Sequence, residues 1–174
     1  VLLYNLNDNE IIYEKNMDKE GSIASLTKIM TTIVAIENID NFDEKVTMTK
    51  DMFTGLYESN AFQIGLRVGE VVTYNDLLYG TLIASGADAV RGLSFSIAGN
   101  EENFVKLMND KASELKLKHT SFKNPIGLDE EGQVSSIGDV AIMLNYALKN
   151  EKFKTIFETE KYTLSNQRIN VSSS

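Results

Sequence analysis

An almost wholly apolar stretch covers residues 29–36 and is broken only by two adjacent threonines. No polar face returns until Glu37 and Asn38, so this stretch has no hydrophilic side of the kind that a surface helix carries. A helix that is apolar nearly all round is typical of a buried position. The pattern therefore predicts a buried helix in this part of the chain.

Further helices are predicted where apolar residues recur at helical spacing behind a capping signal. Thr73 and Asp76 resemble a capping box ahead of an apolar run, which predicts a helix that ends near Ser85 and Gly86. The remaining predicted helices cover residues 87–98, 101–117 and 136–149, the last with a second capping signal at its start. Residues 40–69 contain three glycines between short mixed runs and are predicted to be rich in loops.

Both ends of the chain carry the pattern of short strands. Residues 1–6 and 10–14 predict a hairpin with a turn at Asn7-Asp8-Asn9, because Asn and Asp tolerate the left-handed backbone of such turns. Residues 161–165 are predicted to form a returning strand. This order predicts one α+β domain over residues 1–174, in which the terminal strands share an antiparallel sheet around an inserted helical cluster.

The composition narrows the classes of function. The chain has 174 residues, a length at which one domain is the default. Its net charge of −8 and its scattered basic residues argue against a nucleic-acid partner. The absence of cysteine excludes disulfides and thiolate metal sites. His119 is the single histidine and is predicted to be structural or on the surface, so no metal or other cofactor is expected.

Ser25 and Lys28, in Ser25-Leu26-Thr27-Lys28, stand at the start of the apolar stretch. Residues three apart lie on one face of a helix, so the lysine amine can reach the serine hydroxyl. The helix dipole favours negative charge in the first turn, and an apolar wall lowers the pKa of an amine. The pair is therefore a candidate nucleophile and base. The alternative is a chance Ser-x-x-Lys that caps and solvates a helix, and a Ser-His-Asp triad would have to recruit His119.

A second short motif, Ser85-Gly86-Ala87-Asp88-Ala89, reads as a turn when it is taken alone. Together with Ser25 and Lys28 it resembles the serine D-alanyl-D-alanine carboxypeptidases, the low-molecular-mass penicillin-binding proteins of the β-lactamase/transpeptidase-like superfamily. That family carries Ser-x-x-Lys before a buried helix, Ser-Gly-Asn after another and Lys-Thr-Gly on a strand. The likeness covers nearly the whole chain, in residues 24–31, 78–89, 124–129, 132–133 and 135–136.

The resemblance implies that Ser25 attacks the penultimate D-alanine carbonyl of a peptidoglycan stem peptide and forms an acyl-enzyme that water then hydrolyses. Lys28 would take the serine proton, and Ser85 would relay a proton to the leaving amine. Gly86 and Ala87 would lie in the substrate-binding turn, and the Ser25 N–H would be one of two oxyanion donors. β-Lactams would acylate the same serine. A peptidoglycan substrate implies an exported protein of the cell envelope.

Two departures from the family pattern change what is expected of this chain. Ala87 stands where the family has asparagine, and alanine can neither bind the substrate backbone nor hold the lysine. No Lys-Thr-Gly follows Tyr162, so the chain is expected to lack the C-terminal strands and third motif of its domain and to be inactive as written. Strand edges left unpaired by such a gap predict a homodimer formed by strand pairing.

Two other functions fit part of the pattern. A class A β-lactamase would share the first motif, but residues 130–133 do not match the Glu-x-x-Leu-Asn loop of that family. A non-catalytic wall-binding or regulatory relative with a degenerate site would explain both Ala87 and the missing triplet. Restoring asparagine at position 87 would discriminate a disabled enzyme from a degenerate one.

Overall fold

The computed structural model describes residues 1–5, 8 and 10–173. Its helices are α1 (Thr27–Glu37), α2 (Tyr74–Leu82), α3 (Ala87–Ala98), α4 (Glu101–Glu114), α5 (Ile137–Ala147) and α6 (Glu151–Phe157), with 3₁₀ turns at Ala24–Leu26 and Lys50–Phe53. Its strands are β1 (Leu2–Asn5), β2 (Glu10–Glu14), β3 (Lys45–Thr47), β4 (Val71–Thr73), β5 (Lys161–Thr163) and β6 (Asn170–Ser172). They pair antiparallel as β1–β2, β3–β4 and β5–β6.

Helix α1 is the centre of the core, as its apolar sequence predicts. Every residue from Thr27 to Ile36 is buried, and α1 contacts each of the five other helices. Because the helix is apolar on all sides, its burial removes more apolar surface from water than a one-sided helix would. The site residues at its N-terminal end are therefore attached to the most firmly packed element of the molecule.

The predicted helix starts are confirmed by their caps. The Thr73 hydroxyl accepts from the Asp76 N–H at 3.2 Å, and the Asp76 carboxylate accepts from the Thr73 N–H at 2.8 Å, which completes a capping box. The Ser136 hydroxyl accepts from the Asp139 N–H at 3.1 Å. Helix α3 has the predicted bounds, whereas α2 ends at Leu82 and leaves residues 83–86 as a turn.

Several short elements were not predicted. Residues 40–69 contain a 3₁₀ turn and strand β3, which pairs with β4 at Lys45 opposite Thr73. Helix α6 begins where the Asn150 side chain accepts from the N–H groups of Lys152 and Phe153. Its two buried residues are too few to produce a clear periodic pattern. Strand β6 turns the predicted single C-terminal strand into a hairpin.

The prediction that the terminal strands share one sheet is wrong for the described residues. Hairpin β1–β2 packs through β1 against α5, whereas hairpin β5–β6 is held by α2. Tyr162 stacks on Tyr79 with the ring centroids 3.8 Å apart, and its hydroxyl donates to Asp76 at 3.0 Å. Among the described residues each hairpin is therefore a separate two-stranded sheet, and the two hairpins pack against different helices. Of the predicted N-terminal turn, Asn7 and Asn9 lie outside the described residues.

The helices of the described residues are short. The longest helix, α4, has 14 residues, and no helix in the described ranges combines the length and the hydropathy that a bilayer crossing requires.

Candidate active site

The first motif lies where a 3₁₀ turn runs into the central helix. Ser25 is in the turn Ala24–Leu26 and Lys28 is in the first turn of α1, so the serine precedes the α-helix rather than standing inside it. Ala24 has a left-handed backbone, with φ of 44°, which turns the chain into this entry. As a result Ser25 faces solvent, whereas Lys28 is only 5% exposed.

The three predicted catalytic side chains meet at one point. The Nζ atom of Lys28 lies 3.3 Å from the Oγ atom of Ser25, as a long hydrogen bond. The hydroxyl of Ser85 donates to the same Ser25 oxygen at 3.0 Å, across a sequence separation of 60 residues. The arrangement gives Ser25 a basic neighbour on one side and a hydroxyl neighbour on the other. His119, in contrast, has its ring near Glu20 and Asp18.

Burial changes the acid–base properties of Lys28. Desolvation lowers the pKa of its amine from 10.5 to about 8. The cause is physical and simple, because an ammonium ion loses hydration energy when apolar groups surround it. At pH 7 about a tenth of an amine with this pKa is neutral, and a neutral amine can accept the proton of a serine hydroxyl.

Ser85 is presented by a tight turn, residues 83–86, between α2 and α3. Its backbone is left-handed, with φ of 59°, and the next N–H, that of Gly86, donates to the Gly80 carbonyl at 2.9 Å. A side chain at Gly86 would come within 2.7 Å of Ile64. Glycine is thus required at this position so that the turn can pack against the loop beside it.

Asp88 holds that turn to the neighbouring loop, a role that sequence reasoning missed. Its fully buried carboxylate accepts from the N–H groups of Ile64, Gly65 and Leu66 at 3.0, 2.9 and 2.9 Å. The Ala87 N–H adds a bond of 2.7 Å to the Phe62 carbonyl. An acidic residue in the first turn of α3 is an ordinary feature, so nothing in the sequence signalled these long-range partners.

The side chain of Ala87 lies in apolar surroundings. Its side chain is fully buried in a small apolar cluster with Leu56, Val90 and Ile126. A methyl group there offers no hydrogen bond to Lys28. The assignment of Gly86 and Ala87 to substrate binding stays a prediction.

The backbone of a distant loop provides the closest contact of the lysine. Lys28 Nζ donates to the carbonyl of Ile126 at 2.6 Å, across 98 residues of sequence. Gly127 follows with φ of 91°, and a Cβ atom there would lie 2.1 Å from the Ala24 carbonyl oxygen. Only glycine allows the loop to approach the first motif so closely. The resemblance covers this segment, but it assigned the segment no role.

An open cleft of about 440 Å³ borders Ser85. It runs between the side chains of Phe62 and Ile64 on one side and strand β6 on the other. The cleft offers mainly apolar walls next to the hydroxyl group, which is enough room for a small peptide segment.

Comparison with known proteins agrees with this geometry. The family model described as D-alanyl-D-alanine carboxypeptidase matches residues 1–173. The chain belongs to the D-alanyl-D-alanine carboxypeptidase family. Members are serine hydrolases, and the match favours this family over the class A β-lactamases, the rival family that also carries the first motif.

Individual relatives are similar over nearly the whole chain. The D-alanyl-D-alanine carboxypeptidase DacF of Bacillus subtilis is 44% identical over 154 residues, which is 86% of this chain and 39% of DacF. The crystal structure of penicillin-binding protein 5 from Haemophilus influenzae superposes with a TM-score of 0.88 at 30% identity, over 99% of this chain and 51% of that one. The Streptomyces K15 DD-transpeptidase gives a TM-score of 0.90 at 29% identity, over 99% of this chain and 71% of that one.

These likenesses confirm the predicted fold class, an α+β domain of the β-lactamase/transpeptidase-like type. The chain spans only about two fifths of the length of DacF, its 44%-identical relative.

Proposed function

We propose that this chain carries the nucleophile, the base and the proton relay of a serine D-alanyl-D-alanine carboxypeptidase. The observation that supports this most strongly is the meeting of three groups, in which Lys28 Nζ lies 3.3 Å and Ser85 Oγ 3.0 Å from Ser25 Oγ while the lysine is buried. Such a nucleophile is activated by an amine that burial keeps partly neutral.

The proposed reaction begins with Lys28 taking the hydroxyl proton of Ser25. The serine oxygen bonds to the carbonyl carbon of the penultimate D-alanine, and the Ser25 N–H serves as one oxyanion donor. Ser85 gives its proton to the leaving nitrogen as the C–N bond breaks and the terminal D-alanine departs, and it takes in return the proton that Lys28 removed from Ser25, so that Lys28 is neutral again. Water then attacks the ester carbonyl, and Lys28 accepts a proton from the water. That proton passes to the Ser25 oxygen as the ester C–O bond breaks and the shortened peptide leaves.

The proposed substrate is a peptidoglycan stem peptide, which would lie in the cleft beside Ser85. Gly86 and Ala87 would contribute to substrate binding through the turn that presents Ser85, since both are buried and other residues line the cleft. β-Lactams present a carbonyl in place of the scissile one and would acylate Ser25. Since peptidoglycan is assembled outside the cytoplasmic membrane, the proposal places the protein in the cell envelope after export, with a role in the cell wall.

The proposal assigns only part of the active site to these residues. The family's third motif, which binds the terminal carboxylate and supplies the second oxyanion donor, has no counterpart in the sequence. We infer that residues outside these 174 complete the domain and that the chain alone neither hydrolyses D-alanyl-D-alanine peptides nor binds penicillin tightly.

Labelling with a fluorescent penicillin tests both parts of this proposal. We expect no stable label on the chain alone. We expect one label per molecule, on Ser25, in a chimaera in which the matching C-terminal remainder of Bacillus subtilis DacF follows residue 173. The Ser25→Ala chimaera is the control. A folded chimaera that takes no label either as it stands or with Ala87→Asn would contradict the proposed function, and stoichiometric labelling of the chain alone would contradict the inference that it is half a site.

A second candidate is a non-catalytic wall-binding or regulatory relative that keeps the fold, and the family match favours the enzyme over it. The Ala87→Asn chimaera discriminates the two. Recovery of label by Ala87→Asn, from a parent that takes little, indicates an enzyme weakened at one position, whereas silence in both indicates a degenerate site. The strand-paired homodimer also stays a prediction, and a monomeric mass in light scattering across concentrations would contradict it.

A further inference from the structure

The strongest hydrogen bond of the lysine amine goes to a backbone carbonyl and not to the nucleophile. Lys28 Nζ lies 2.6 Å from the Ile126 oxygen but 3.3 Å from Ser25 Oγ. Whatever fixes that carbonyl therefore fixes the amine. Ala87 offers the amine no acceptor, so the carbonyl and the serine are its two partners among the described residues.

The loop that carries the carbonyl, residues 123–133, is braced by one asparagine side chain. The Asn124 Oδ1 atom accepts from the N–H groups of Gly127 and Leu128 at 2.8 and 3.0 Å. Its Nδ2 group donates to the Leu128 carbonyl at 3.0 Å. These bonds close a turn whose central carbonyl, that of Ile126, is left facing the lysine.

A second amide side chain supports the first. The Oε1 atom of Gln133, which is 7% exposed, accepts from the N–H groups of Lys123 and Asn124 at 2.7 and 2.8 Å. Its Nε2 group donates to Asn124 Oδ1 at 3.3 Å. Hydrogen bonds thus hold both the backbone N–H and the side chain of Asn124, and this network restrains the conformation of the turn.

The loop is also attached to α1 next to the lysine. Thr31 donates from its hydroxyl to the Pro125 carbonyl at 2.7 Å, one turn along the helix from Lys28. The loop is therefore both the acceptor for the amine and part of the cover that keeps water from it.

We propose that Asn124 is a positioning residue for the base, because it closes the turn that aims the Ile126 carbonyl at Lys28 and keeps the amine beside Ser25. The proposal rests on the proposed function, in which Lys28 is that base. In this chain, which has no amide side chain at position 87, the loop of residues 123–133 orients the Lys28 amine.

The test is the pKa of Lys28, measured in the 174-residue chain by NMR titration of its side-chain ¹³Cε signal. Replacing Asn124 with alanine removes the brace, and water then reaches the amine. Because burial is the cause of the lowered value, the Asn124→Ala variant should show the Lys28 pKa rising from about 8 toward 10.5, by about one unit or more. The Lys28→Met variant assigns the signal by its loss.

Asn109→Ala is the matched control. Asn109 also binds backbone with both ends of its amide, accepting from the Phe122 N–H at 2.9 Å and donating to the Phe122 carbonyl at 2.9 Å, but it does not touch the turn. It should lose stability with no change in the Lys28 pKa. A merely structural role for Asn124 would make the two variants behave alike.

Asn124→Ser keeps the inference testable if the alanine variant does not fold, since a serine hydroxyl can accept from the same N–H groups. Serine should give a Lys28 pKa between those of the wild type and the solvated amine, with the Gly127 and Leu128 amides still slow to exchange. A folded Asn124→Ala variant whose Lys28 pKa equals that of the wild type overturns the proposal. An Asn124→Ser variant does so if its Gly127 and Leu128 amides exchange fast while its Lys28 pKa equals that of the wild type. No substrate is used, so this outcome is separate from a chimaera that takes no penicillin.

Discussion

The two sides of the candidate site are held in place by different forces. Ser25 and Lys28 belong to the entry of α1, whose surroundings are apolar and tightly packed. Ser85 belongs to a turn with a left-handed residue, which a buried carboxylate ties to loop 64–66 through three N–H groups. The comparison teaches that packing fixes the helix at whose start Ser25 and Lys28 lie, whereas polar contacts of defined direction fix the turn that carries Ser85.

Removing core volume should affect the packed side most. Met30 in α1 is fully buried, and replacing it with alanine should lower the free energy of unfolding by about 4 kcal/mol, through lost burial and a residual cavity. Urea denaturation measures this change. Ile142→Ala, at a position of α5 that is 45% exposed, is the control and should change stability by less than about 1 kcal/mol. Equal effects of the two substitutions would contradict the central place of α1.

Removing the carboxylate should disrupt the polar side. Asp88→Ala leaves three backbone N–H groups of the neighbouring loop without their acceptor, and the free energy of unfolding should fall by about 3 kcal/mol. Amide exchange should quicken at Gly65 and Leu66 before it quickens in α1. Asp110→Ala, at an exposed position of α4, is the matched control. Uniform loosening of both regions would argue against separate supports.

Lys28 should make the free energy of unfolding depend on pH. The folded pKa of Lys28 is lowered from 10.5 to about 8, so between these values the unfolded chain binds the proton more tightly than the folded one. The free energy of unfolding should therefore rise with pH across this window, by about 3 kcal/mol, and the penalty should be fully present below pH 8. The difference between the wild type and Lys28→Met in urea denaturation isolates this group from other titrating residues. A difference that does not change with pH would contradict the burial of a titrating amine.

The smallest effect is expected where an ion pair with an exposed arginine joins the C-terminal hairpin to the loop beside Ser85. Arg168 pairs with Glu70 and donates to the Gly65 carbonyl at 2.7 Å. Arg168→Ala should lower the free energy of unfolding by less than about 1 kcal/mol, and added salt should shrink the difference. A larger or salt-independent loss would show that this pair, rather than Asp88, secures the loop.

How far the sequence could predict the molecule depended on the range of the interaction. The burial of α1, the capping boxes and the reach from Lys28 to Ser25 are local, and the pattern within a few residues determined them. The shared terminal sheet was predicted wrongly, because strand pattern alone does not say which partner a short strand takes. The Asp88 and Ile126 contacts depend on tertiary structure. Since every residue has a carbonyl group, no residue type could have marked Ile126 as the acceptor for an amine 98 residues away.

The resemblance supplied what the local pattern could not. It predicted that Ser85 lies beside Ser25, although 60 residues separate them in the sequence, and the structure places their hydroxyl oxygens 3.0 Å apart. It also drew attention to Ala87, whose buried methyl group offers the lysine no acceptor, and the Ile126 carbonyl lies 2.6 Å from the amine.

The central claim is that Lys28 is a buried, partly neutral amine beside the hydroxyl of Ser25. NMR titration of the Lys28 side chain in the unmodified chain tests it most directly. The predicted result is a pKa of about 8, well below the ordinary 10.5. A titration midpoint near 10.5 in the folded chain would contradict the claim, because it would mean that water and not the core surrounds the amine.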